Sequence, residues 1–216
     1  MIATDRDLLV YEPRLFNEAF FASQRVFDSP SAGSLDAAGT TLTATNAKWG
    51  DWNVGAGWVV LIADAPAEVV TRFNQTQLYV SKLREDANAA VTSAGSGSSL
   101  PVRVSTFRPQ IQSVHDALMR GVGIEPTAIV APGTITEANI TNPKALLRAE
   151  CLGTLQMVYQ SVAVAAGEGS VAWAKARSYA ERFAEERRRI AVEIDTNADG
   201  TADAVRRFST HWLTRA

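Results

Sequence analysis

The most specific arrangement of chemical side chains in this sequence is Asp195-x-Asn197-x-Asp199-Gly200. Oxygen ligands at alternate positions followed by glycine open a calcium loop, where hard oxygens surround the ion and glycine allows a sharp turn. The pattern fails further on, because Arg206 stands where a bidentate glutamate is needed. Asp195, Asn197 and Asp199 are therefore candidate cation ligands with a concrete alternative. In that alternative they form a helix-to-strand turn whose Asp and Asn side chains bond local backbone N–H groups. The rest of the chain offers little for catalysis. Cys151 is the single cysteine, which excludes an internal disulfide framework and any multi-cysteine metal cluster. A nucleophilic thiol needs an activating base and an electropositive, accessible site. Cys151 lies instead on an apolar helical stripe, where cysteine acts as a small hydrophobe.

The sequence holds two histidines, His115 and His211. Either would have to meet Cys151 through the fold to make an enzyme. His115 precedes Asp116, but neighbours on a helix point about 100° apart and form no ready dyad. No nucleophile elbow, zinc-protease helix or dinucleotide fingerprint appears. The glycines of residues 92–99 are followed by no Lys-Ser/Thr, so they make a flexible loop rather than a phosphate cradle. The expectation is a protein that is not an enzyme and carries no cofactor.

Three tryptophans, Trp49, Trp52 and Trp58, fall close together. They read as sheet core, or alternatively as a platform for a carbohydrate ligand. Arg187-Arg188-Arg189 and Arg206-Arg207 concentrate positive charge beside acidic neighbours. A solvated face is the plain reading, and a polar interface or a channel lining in a multimer is the sharper one.

The elements that must position these residues change character near residue 107. Before it, β-branched runs at 58–62, 67–73 and 76–80 are joined by short turns, as in an antiparallel meander. Residues 40–45 and 100–107 supply further strands, and 13–22 a short helix or an extended arm. After it, helical periodicity takes over. Ile111, Val114, Leu118 and Val122 form one stripe, with glycines 121 and 123 as its stop. Asn142-Pro143 opens a second helix, capped by Asn142, with Leu147, Cys151, Leu155, Val158 and Val162 on one face. Ser170 caps a third helix, whose seam Trp173, Ala176, Ala180, Phe183, Arg187, Ile190 and Ile194 is spaced to pack on another helix. A terminal strand or arm follows from Ala204, and Phe208, Trp212 and Leu213 in it need burial, internally or against another chain.

The fold class expected is α+β. Residues 1–24 form an arm or short helix, 25–106 a β-rich domain, 107–195 a helical-bundle core and 196–216 a C-terminal turn and arm. The chain has 216 residues, 46% hydrophobic and 20% charged, with a net charge of -2. That is globular, and it argues against binding nucleic acid by net charge. No apolar run approaches the ~18 residues of a membrane span, and the N-terminus lacks the apolar core of a signal peptide.

The second half resembles tailed-bacteriophage head-to-tail connector proteins, also called adaptor or head-completion proteins. The resemblance rests on the order of parts: a helix at 109–120, a second at 145–164, the run Tyr179-Ala180-Glu181-Arg182-Phe183, the 195–200 turn and the arm after it. The opening from Asp7-Leu8-Leu9-Val10-Tyr11-Glu12-Pro13 to Phe16 also looks like the start of such proteins. The resemblance implies a helical-bundle core and a ring of about twelve copies between portal and tail. Such a ring docks portal protein and tail or nozzle proteins and lets DNA pass without sequence specificity. It offers no catalytic residue to carry over; beside it, no metal and no membrane contact are expected, and the residues themselves make Arg187, Arg188, Phe208, Trp212 and Leu213 interface candidates. The place implied is the virion neck, after assembly in the bacterial host cytoplasm. The β-rich 25–106 region is an elaboration on smaller adaptors. The alternatives are a tail-completion or terminator protein, and a calcium- or carbohydrate-binding β module.

Overall fold

The computed structural model describes residues 1–126 and 133–208. The fold is α+β, an antiparallel β-barrel together with several helices. The chain divides into two compact units, one of Thr4–Arg108 and the other of Met1–Ala3 with the chain from Pro109 onward. Among the described residues no helix is long and apolar enough to cross a membrane.

In the first unit, β1 (Arg25–Leu35), β2 (Thr41–Ala44), β3 (Val59–Ile62), β4 (Ala65–Arg72), β5 (Gln77–Ser81) and β6 (Gly97–Ser105) form the barrel. Their order is β1-β2-β5-β4-β3-β6, with β6 closing onto β1. Closure leaves no edge strand to protect. The meander expected from β3 to β5 is present, and its first turn is a two-residue hairpin with positive φ at Ala63 and Asp64. That places Pro66 inside β4, opposite Leu61, rather than in the turn.

β1 carries no strand signal in the sequence, because Pro30 and Gly33 interrupt it. The register between β1 and β6 shifts between Ser29 and Gly33, so Pro30 lies where the ladder is already broken. Gly33 serves a close approach. A Cβ there would stand 2.3 Å from a Val102 methyl on β6.

Inward residues Leu42, Val60, Leu78, Val80, Val102 and Val104 are fully buried. The loop after β2 contributes Trp49, also fully buried, with ring contacts to Phe27 at 5.1 Å and Trp52 at 5.8 Å. Trp58 is buried as well, and the Arg108 guanidinium lies over its ring. A sugar platform needs open ring faces, which Trp49 and Trp58 do not offer; these tryptophans are core.

The N-terminal stretch is more structured than an arm. α1 (Asp5–Tyr11) begins at Thr4, whose backbone N–H donates to Asp7 Oδ2 at 2.8 Å, and α2 (Leu15–Glu18) follows. Asp5 ties α1 to the end of β6. Its carboxylate accepts the Thr106 hydroxyl at 2.6 Å and the Phe107 N–H at 2.7 Å. Burial raises its pKa to about 6 against those two hydrogen bonds. A raised pKa stabilises the fold fully below the carboxyl's ordinary value of 3.8, and this is lost as pH rises through about 6. Asn keeps one acceptor oxygen, for the Phe107 N–H, and offers an amide N–H to the Thr106 hydroxyl oxygen in place of the second, without the charge. Asp5→Asn is expected to gain up to about 3 kcal/mol near pH 8 and to flatten the pH dependence. Urea unfolding near pH 5 and pH 8 checks this, and a variant less stable than the parent near pH 8 would refute it.

The second unit holds α3 (Arg108–Gly121, from Pro109), a 3-10 turn (Glu137–Asn139), α4 (Leu147–Ala166), α5 (Val171–Arg189), β7 (Ala191–Ile194) and β8 (Ala204–Arg207). α4 is buried on most sides over residues 149–155. Gly153 on α4 admits two neighbours: a Cβ there would meet Val114 at 2.7 Å and the Phe183 ring at 3.0 Å. Ser170 caps α5, its hydroxyl accepting the Trp173 N–H at 3.2 Å.

The seam expected to run helically to Ile194 stops at Arg189. Ile190, Val192 and Ile194 are buried in alternation, and β7 pairs with β8. A spacing of four from 190 to 194 satisfies both a helical face and a strand face, so the periodicity did not separate them. Asn142 and Pro143 stand at the cap and first position as expected, but of a 3-10 turn ahead of α4, and the Asn142 side chain does not cap it. That side chain bonds β7 instead, accepting the Glu193 N–H at 2.9 Å and donating to the Ala191 carbonyl at 3.0 Å. Pro143–Leu146 forms a 3-10 turn that leads into α4.

Candidate functional site

The chemistry of the second unit gathers at His115, on the buried face of α3. Val114, Leu118 and Met119 bury that face, and His115 enters with them at 1% exposure. Its Nδ1 stands 2.6 Å from Oε1 of Glu150 on α4. Glu150 is completely buried, and its other oxygen accepts the backbone N–H groups of Ile2 at 3.0 Å and Ala3 at 2.7 Å. On the far side of the ring, Nε2 lies 3.0 Å from Glu137 Oε2 and 3.1 Å from the Met1 nitrogen. That nitrogen also donates to Glu137 Oε1 at 3.2 Å. Glu137 is half exposed on its 3-10 turn.

The electrostatics follow from this geometry. Burial disfavours the charged imidazole, but the hydrogen bond and charge of Glu150, with the charge of Glu137, outweigh burial and the opposing Met1 nitrogen. The His115 pKa is raised above its ordinary value. Burial likewise works against ionised Glu137, yet the facing His115 and Met1 nitrogen hold its carboxyl below the usual range. The two carboxylates thus favour the imidazolium form of the ring.

Beside it opens a cavity of about 270 Å³, lined by His115, Glu137, Asp116, Gln112, Thr134 and Thr136 among others. A histidine oriented by a buried carboxylate at the wall of a cavity is the geometry of an acid–base group. Here, however, Nε2 is occupied by Glu137 and the Met1 nitrogen.

The remaining sequence candidates fall elsewhere. Cys151 is buried in α4, and the close partners of His115 are carboxylates rather than this thiol. Asp116 accepts the Gln112 side chain and makes no dyad with His115. His211, Trp212 and Leu213 lie outside the described residues.

The 195–200 turn directs its oxygens at its own backbone. Asp195 accepts the N–H groups of Asp199 at 3.2 Å and Gly200 at 2.6 Å, Asn197 accepts that of Asp199, and Asp199 that of Thr201. Among the described residues no three His, Cys, Asp or Glu groups are placed to hold a metal ion.

Phe208, an interface candidate, is buried inside the unit, and Arg187 lies over both its ring and that of Phe183. Arg188 is exposed on α5.

Glu150 and Glu137 escaped the sequence reading. The available signal was a lone carboxylate, Glu150, set among Leu147, Cys151 and Leu152. A charge amid an apolar run needs a buried partner.

No protein-family model matches the chain, and no curated protein or solved structure matches it.

Proposed function

We propose that the chain is a structural virion protein, a head-to-tail connector. On this reading its copies form a ring of about twelve between portal and tail, with the helical unit as adaptor core and the barrel as an added module. The carrying observation is exposed apolar surface where α4 ends and α5 begins. Val164 is 79% exposed, Val171 72% and Trp173 45%. Trp173 lines a groove of about 310 Å³ between the two helices, with Ala163, Ala176 and Ala180 and the polar Gln156, Gln160 and Arg177. Large apolar side chains exposed within one short stretch, one of them in a groove, favour an interaction surface over ordinary surface scatter. In a ring each copy makes the same head-to-tail contact and closure satisfies them all. The chemistry also favours a role in assembly, because the ionisable groups of the core hold one another.

The test is the mass and shape of the purified protein over a wide concentration range, by light scattering and electron microscopy, followed by binding to a portal ring. Annular particles, or portal binding that Trp173→Glu weakens roughly tenfold or more, are expected, since burying a charge in an apolar contact is costly. A monomer at every concentration that ignores the portal would overturn the reading.

A further inference from the structure

His115 is the meeting point of groups from four places. Glu150 comes from α4, Glu137 from the 3-10 turn and the Met1 nitrogen from the N-terminal residues, while Asp116 neighbours it on α3. Glu125, bonded to Arg120, lines the far wall of the same cavity.

The two sides of the ring differ. At Nδ1 the carboxylate is fully buried and tied by two backbone N–H groups, so it remains an acceptor and keeps a proton on Nδ1. At Nε2 the partners are opposites, for Glu137 only accepts and the Met1 nitrogen donates. A doubly protonated ring therefore bonds Glu137 and repels the Met1 nitrogen. A neutral ring, with its proton on Nδ1, turns a lone pair toward both; it loses its own bond to Glu137 and gains the Met1 N–H, so that Glu137 stays linked only through the Met1 nitrogen.

We propose that His115 is a proton-operated latch, which holds the Glu137 turn against α3 when protonated and, when neutral, leaves it tied to the site only through the Met1 nitrogen. The turn forms one wall of the 270 Å³ cavity, so its loosening at Glu137 widens that cavity while Asn139 and Thr141 stay bonded to residues 193–195. The stabilisation of the turn is complete below the ordinary imidazole range and is lost as pH rises through the raised pKa of His115. The latch is independent of the assembly reading, because its parts lie within one chain.

The test follows hydrogen exchange of the full-length protein from about pH 6 to about pH 9, corrected for intrinsic rates. The His115 ring is titrated by NMR in a His211→Gln background, which leaves a single histidine. As the ring loses its proton, amides of 136–140 are expected to lose about tenfold protection. The Ile2 and Ala3 amides keep theirs, as does α4. In Glu137→Gln the turn's protection becomes independent of pH, since the amide donates to a neutral ring and its oxygen accepts from a charged one. Four results would overturn the latch: a ring that never titrates in this range; protection of 136–140 that ignores its titration; simultaneous loss at the turn, the N-terminal amides and α4; or a Glu137→Gln variant that follows the parent curve.

Discussion

Glu150→Ala is expected to destabilise the second unit by about 3–5 kcal/mol, because removing one member of a buried charge pair strands the others. The stranded groups are the His115 Nδ1 and the N–H groups of Ile2 and Ala3, all held by the one carboxylate. In a unit of this size that loss lowers the melting temperature by more than roughly 10 °C. Increased hydrogen exchange in α3, α4 and residues 1–3 locates it. Glu150→Gln separates charge from shape. Its oxygen can still accept the two backbone N–H groups, but its amide now donates toward Nδ1 and so requires a neutral ring. The pH dependence should therefore reverse. The parent loses stability as pH rises through the raised pKa of His115, whereas the Gln variant loses it as pH falls and the ring takes up a proton. If Glu150→Ala melts within a degree or two of the parent, the cluster does not hold this unit together.

The second large effect belongs to the barrel. Glu68 on β4 is fully buried and accepts from both Arg6 of α1 and Arg84 in the loop after β5. Arg84 also donates to the carbonyls of Ala87 at 2.9 Å and Ala89 at 3.0 Å, so one carboxylate anchors a helix and a loop to the sheet. Glu68→Ala leaves two largely buried guanidinium groups without the carboxylate they share, Arg6 keeping only the Asp7 carboxylate at 3.2 Å. A loss of about 3–5 kcal/mol in the barrel is expected, with faster exchange concentrated in residues 84–92. The control is the triple replacement of Glu68, Arg6 and Arg84 by methionine, which removes all three charges while keeping volume. It should recover most of the loss, because apolar substitutes for a buried ion cluster are often neutral or better. Failure of the triple variant to recover stability would assign the effect to packing rather than to stranded charge.

These two clusters mark where reading the sequence stopped. Runs such as 59–62 and 77–81 were legible as strands because β-branched residues between turn residues suit a buried pleat. α3 was legible from its apolar stripe, and the start of α5 from Ser170. Each signal lies within a few residues and reflects burial of one face. β1 was not legible, since Pro30 and Gly33 look like loop residues until a facing strand requires a bulge and a close approach. α1 was missed although Thr4 and Asp7 have the spacing of a capping box.

The site was less visible still. His115 was named from its residue type, yet its carboxylates lie 35 and 22 residues away on other elements. The 195–200 motif, the most specific pattern in the sequence, bonds its own backbone. By itself the sequence determined the α+β composition, the change from strands to helices and the scarcity of nucleophiles, because periodicity and composition are local or summed quantities. Only the tertiary structure decided that the barrel closes, that α5 gives way to a hairpin, and that His115, Glu150 and Glu137 meet, because side chains distant in sequence share a site only once their elements are packed.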